Sequence, residues 1–187
     1  QEVGLRVSES VAIIGGGPIG LCCALIARNA GASQIVMFEV NPDRAEAIRK
    51  DYGFEVLNPT EADAVEKAMK KTGGLGFQRI YETSGSQSGF QMITALGRVR
   101  AYAVIIGITN QPASLDTWKM MHEEMRLTVI RVHQQYAYAA ALELVKSHAL
   151  DRELDQMITD EFDLDHIQEA FEFCLKDTKH NKVIIKS

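Results

Sequence analysis

Short apolar runs alternate with amphipathic stretches along the chain, and this alternation is the pattern of βαβ units that build a parallel sheet. The runs predict strands at 11–14, 34–39, 54–57, 78–82, 102–106 and 127–132. Between them, helices are expected near 18–30, 42–52, 60–72, 86–96, 116–125 and 136–147. That is enough for a complete α/β domain with a doubly wound, six-stranded parallel sheet. The punctuation agrees. Pro18 and Pro42 fall in first helical turns, where the missing N–H costs nothing, and Gly31, Gly53 and Gly73 stand where left-handed helix ends are expected. Thr60 with Asp63 reads as a capping box. After Leu150 the pattern changes to a strand at 157–162, a helix at 166–175 capped by Asp163 or Asp165, and a last strand at 182–186. The chain therefore divides into residues 1–150 and a shorter piece, 151–187, with the boundary somewhere between 134 and 160.

Composition narrows the function classes. With 187 residues there is room for one well-buried core and a small appendage. No apolar run is long enough to span a membrane. A net charge of −5 without clustered Lys and Arg argues against a nucleic-acid surface, which needs concentrated positive charge. The three cysteines form neither an even framework nor a CxxC pair, which suits a reducing, cytoplasmic setting. Cys22 and Cys23 are adjacent on a helix and diverge by ~100°, so packing explains them better than a shared metal. Cys174 shares an apolar helical face with Phe171 and reads as packing too. His122 reads as a surface residue, and Glu61, Asp63 and Glu66 as a solvated helix face. No catalytic or metal-ligating set is assigned.

The segment VAIIGGGPIG carries the chemistry. Gly15, Gly17 and Gly20 form G-x-G-x-x-G directly after a strand and at the opening of a helix. Gly15 permits the tight turn, Gly17 lets the backbone approach a pyrophosphate, and Gly20 lets the helix pack closely on the strand. The helix N-terminus offers unpaired N–H groups and the positive end of its dipole to phosphates. Nineteen residues beyond Gly20, at the end of the second strand, stands Glu39. That is close to the ~20-residue offset of an acid that accepts hydrogen bonds from an adenosine ribose. A carboxylate there also repels a 2′-phosphate, so NAD is favoured over NADP.

Around those residues, the stretch GGGPIGLCCALIARNAGASQIVMFEVNPDR resembles the cofactor-binding Rossmann domain of the medium-chain dehydrogenase/reductase superfamily. The likeness is to its alcohol, sorbitol and threonine dehydrogenase branch. YETSG (81–85), VIIGI (104–108), ITDEFDLDHIQEAFEFCL and KVIIK match later segments in the same order. The resemblance implies that Gly15, Gly17, Pro18, Ile19 and Gly20 hold pyrophosphate, and that Glu39, Val40 and Arg44 meet the adenosine ribose. It places Thr83 and Ser84 on the adenosine side and Gly107 and Ile108 at the nicotinamide. It further implies hydride transfer between NAD and an alcohol or polyol carbon, and a homodimer, or a tetramer built from dimers, joined at the sixth strand. A catalytic lobe carrying any zinc would precede this chain, which begins at Gln1, and the C-terminal piece would return to that lobe. The chain alone would then be inactive.

Two departures stand out. Arg100 and Ala101 replace a glycine pair before the fifth strand, and Arg131 stands near a position that is usually glycine. His133 lies close to the loop that faces nicotinamide in the family, although a proton relay there would have to reach a substrate held mainly by the other lobe. Three other readings remain: a non-catalytic NAD-sensing module, a zinc-free reductase of the same superfamily, and a methyltransferase.

Overall fold

A computed structural model describes residues 4–132, 135–176 and 180–186, so His133 lies outside the described residues. Six strands, β1 (Ser10–Ile14), β2 (Gln34–Phe38), β3 (Glu55–Leu57), β4 (Phe77–Glu82), β5 (Gly97–Ile105) and β6 (Arg126–Val129), form one parallel sheet in the order β3-β2-β1-β4-β5-β6. This is the expected doubly wound α/β architecture. All five residues of β1 are buried, as a central strand covered on both faces demands.

Alternate residues of β1 supply two cores. Val11 and Ile13 pack with Leu21, Ala24 and Leu25 of α1 (Pro18–Asn29) and with Ala45 of α2 (Pro42–Ala47). Ala12 and Ile14 face the other way, onto Ala64 and Ala68 of α3 (Ala64–Lys70) and Phe90, Ile93 and Leu96 of α4 (Gln87–Leu96). The strand's period of two thus places helices on both sides. Caps set the helix starts: Asn41 accepts from the Arg44 N–H, Ser86 from the Gly89 N–H, and Asp116 from the Lys119 N–H at α5 (Thr117–His122). Beyond α2 the chain makes a π-helical turn, Ile48–Tyr52, that ends at Gly53 with φ +71°.

Several expectations are corrected. Thr60 caps nothing, because its N–H and hydroxyl both donate to Asn58 Oδ1, and α3 begins only at Ala64. β6 stops at Val129, and Val132 turns to φ +60°. β5 begins five residues earlier than its apolar run, at Gly97, because a bulge lies between the pairs Phe77↔Gly97 and Arg79↔Tyr102. Within that bulge Arg100 takes φ +61°, a left-handed conformation that explains why the resembled family uses glycine there.

After α6 (Gln135–Lys146) comes a helix that the sequence pattern did not predict, α7 (Asp151–Met157), whose last residue is where a strand was expected to begin. Its Met157, with Leu150, packs in the α1 core, and its Glu153 accepts from Arg28 at 2.6 Å. β7 (Ile158–Asp163) then pairs in parallel with β8 (Lys182–Lys186) across α8 (Ile167–Lys176). On α8 the packing expected of Cys174 does not occur: Cys174 is exposed and Phe171 is 65% exposed, and both line an open groove with Ile167, Val183 and Ile185.

Candidate functional site

The strand order reverses between β1 and β4, and in open α/β sheets the crevice beyond the C-terminal ends of such a pair is where ligands bind. An open cleft of about 410 Å³ lies there. Gly15, Gly17, Glu39, Val40, Arg44, Thr83 and Ser84 line it together, joined by Pro59, Ser86, Ser88 and Gly89, which the sequence reading did not name. Pro18 is the first residue of α1 and Ile19 is exposed on the same turn.

The glycine turn is held from three sides. Gly15, at φ +107°, donates its N–H to Phe38 O. The Thr83 hydroxyl donates to Ile14 O at 2.9 Å and to Gly15 O at 3.2 Å, tying β1 to β4 at the switch point. The Gly16 N–H donates to Glu39 Oε2 at 2.9 Å. A Cβ on Gly20 would sit 2.0 Å from Gly15 O, so Gly20 is buried packing under the turn; a Cβ on Gly17 would meet nothing within 4 Å.

Glu39 is 5% exposed and does more than face the cleft. Oε1 accepts from Asn41 N at 2.8 Å, and Oε2 from Gly16 N and from an Arg44 guanidinium nitrogen at 3.3 Å. It therefore joins the glycine turn to the start of α2. Arg44 Nε is buried in the cleft wall without a partner among the described residues, and such a donor asks for a ligand acceptor.

Glu82, at the end of β4, is a residue that sequence reasoning missed. It is fully buried, and Oε1 gathers the Ser84 N–H at 2.9 Å, the Ser84 hydroxyl at 2.5 Å and the Gly85 N–H at 3.0 Å, shaping the turn that lines the cleft. Its Oε2 has no hydrogen-bond partner among the described residues. The available signal was an acid closing a strand directly ahead of Thr-Ser-Gly. Gly107 and Ile108 leave β5 against this turn and do not line the cleft: a Cβ on Gly107 would lie 2.2 Å from Gly85 N, and Ile108 is 83% exposed.

Among the described residues, no group of three or more His, Cys, Asp or Glu is arranged to hold a metal ion. Burial pushes the Cys23 thiol up to about 12, helped by Cys22, so it is neither a ready nucleophile nor a ready ligand. His122 is exposed, with Nδ1 2.8 Å from Trp118 O and its ring tilted by 31° against Trp118, centroids 3.9 Å apart. No helix of the described residues is long and apolar enough to cross a membrane.

A family model described as zinc-binding dehydrogenase matches residues 18–147. The chain belongs to the zinc-binding dehydrogenase family. This sets aside the methyltransferase reading. D-arabitol-phosphate dehydrogenase of Enterococcus avium is 27% identical over 100% of this chain and 53% of its own length. The chain thus spans about half of that curated relative. Among solved structures, a short chain alcohol dehydrogenase of E. coli CFT073 complexed with NADH superposes with TM-score 0.85, at 18% identity over 97% of this chain and 53% of that one. A zinc-binding dehydrogenase of Sinorhizobium meliloti 1021 bound to NADP gives TM-score 0.85, at 22% identity over 100% and 54%. These likenesses are likenesses of fold. The two relatives carry different nicotinamide cofactors, so cofactor choice in this chain has to be argued from its own residues.

Proposed function

We propose that this chain is the NAD-holding part of an oxidoreductase that moves a hydride between NAD and an alcohol or polyol carbon. Residues 1–150 form the binding unit in this reading, the C-terminal piece belongs with a catalytic lobe, and any zinc is held outside this chain. The observation that carries the reading is the cleft at the switch point, where open space over Gly17, the N-terminus of α1, Glu39 and the unpartnered Arg44 Nε converge. The donor set fits a dinucleotide. First-turn amides of α1 suit a pyrophosphate, the free acceptor capacity of Glu39 Oε1 suits a ribose hydroxyl, and Arg44 Nε suits a second ribose oxygen. In this reading Thr83 and Ser84 serve the adenosine side, and the Gly107–Ile108 backbone, beyond the cleft lining, serves the nicotinamide. Bound NAD would supply the hydride acceptor; the residues here bind and orient it.

Glu39 decides between cofactors. A 2′-phosphate at ~4 Å from its carboxylate would meet on the order of 4 kcal/mol of repulsion at an effective dielectric near 20, lowered by the neighbouring Arg44 charge. NADH is therefore expected to bind at least ~10-fold tighter than NADPH, about 1.4 kcal/mol. In Glu39→Ser the ribose acceptor is lost and Arg44 is released toward the cleft, so the ratio narrows from both sides. Fluorescence titration of both cofactors into both proteins tests this. Equal affinities in the wild type, or a ratio the substitution leaves unchanged, would refute the assignment of the acid.

The sheet edge supports a dimer. β6 is the last strand, and Val129 and Val132 beside it are 68% and 72% exposed. An unpaired apolar edge invites pairing with a second copy. Sedimentation equilibrium at tens of micromolar, a range that detects weak pairs, is expected to show dimers. Monomers alone would refute the pairing.

A further inference from the structure

The end of the sheet opposite the glycine cleft carries a second cavity, of about 390 Å³. Arg79, on its wall, is four residues before Thr83 on β4, so this cavity lies ~13 Å along the strand from the switch point. Five arginines line it, Arg6, Arg79, Arg98, Arg100 and Arg126, with one acid, Glu9. In a chain of net charge −5 this is a strong local reversal of sign.

The floor is rigid. Arg79 is 8% exposed, donates to both oxygens of Glu9 at 2.6 and 3.1 Å, and lies 5.4 Å from the centre of the Tyr102 ring. Burial alone would raise the Glu9 carboxyl, but hydrogen bonds from the Arg79 guanidinium and the Arg6 N–H, with both positive charges, hold it below its ordinary value. Glu9 thus stays ionised and committed to Arg79 rather than to a ligand. The rim is uncompensated. Arg100 pairs with Glu124, whereas Arg6, Arg98 and Arg126 form no salt bridge to a carboxylate among the described residues. Arg98 and Arg100 both lie within the β5 bulge.

We propose that this cavity binds a small phosphate-type anion, such as a diphosphate or a phosphate monoester. The uncompensated Arg98 and Arg126, with Arg6, whose charge is shared with Glu9, match the two negative charges of such a group, and their planar forks match its oxygens in pairs. The volume admits a small molecule. The inference is separate from the cofactor reading and does not require it.

Calorimetric titration of the chain at saturating NADH, with the glycine cleft thereby filled, tests the site using inorganic pyrophosphate, ribose 5-phosphate and malonate. Pyrophosphate or ribose 5-phosphate is expected to bind near one equivalent with Kd below ~1 mM, and Arg98→Gln with Arg126→Gln to weaken it at least ~10-fold while leaving NADH affinity unchanged. Tighter binding of ribose 5-phosphate would identify a phosphorylated metabolite as the source, and tighter pyrophosphate a free polyphosphate. Both support the site. Malonate binding as tightly as the phosphates would overturn the phosphate assignment. No phosphate binding, or full binding by the double variant, would overturn the site itself. Should NADH fail to bind, the cofactor reading fails, and the double variant still separates this cavity from the glycine cleft.

Discussion

Gly20→Ala is expected to destabilise the chain, although Ala is the better helix former. In an open helix the exchange would gain about 1 kcal/mol. Here the added Cβ would lie 2.0 Å from Gly15 O, 2.9 Å from Thr83 Oγ1 and 3.0 Å from Gly15 C. Two of those three atoms belong to the backbone of a turn pinned by Phe38 O and Thr83, so nothing flexible can yield. Overpacking of this kind costs about 3 kcal/mol. The net loss is about 2 kcal/mol, which at this chain length is a fall in Tm of roughly 4 to 8 °C. Differential scanning calorimetry reads it directly. A Tm equal to or above the wild type would mean that α1 can move off the strand and that Gly20 is not a packing glycine.

Gly17→Val is the complementary case. Gly17 caps α1 in an extended conformation, φ −67° and ψ 179°, which any residue can adopt. The space over it is empty to 4 Å. A valine there should fold with a Tm within ~2 °C of wild type, because it neither strains the backbone nor collides with a neighbour. The same two methyl groups would stand where a pyrophosphate must approach the helix end, and NADH affinity should fall by about 100-fold, or ~2.7 kcal/mol. The pair of substitutions therefore separates a glycine kept for packing from a glycine kept for a ligand.

Much of this was legible in the chain because its causes are local. The apolar run of β1, the glycine spacing and Pro18 lie within a dozen residues, and the acid offset needs only one helix between two strands. What escaped depends on partners distant in sequence. Glu82 looks like a strand end until Ser84 and Gly85 fold back onto one of its oxygens. α7 is a seven-residue, mostly polar segment whose single buried residue, Met157, is decided by α1 rather than by its own periodicity. Thr60 failed as a cap because Asn58, two residues earlier, offers a closer acceptor. The arginine cavity is the clearest instance. No cluster of basic residues occurs in the sequence, yet a bulge and parallel pairing gather side chains from position 6 to position 126 around one space. Lack of clustering along a chain says little about clustering across a sheet.

The glycine cleft is most directly tested by titrating NADH into the wild-type chain and into Gly17→Val, with melting curves of both proteins taken from the same samples. The expected result is saturable binding near one equivalent by the wild type, affinity about 100-fold weaker in the variant, and superimposable melting. Binding by Gly17→Val as tight as by the wild type, or no saturable binding by the well-folded wild type, would contradict the assignment of this cleft to a dinucleotide.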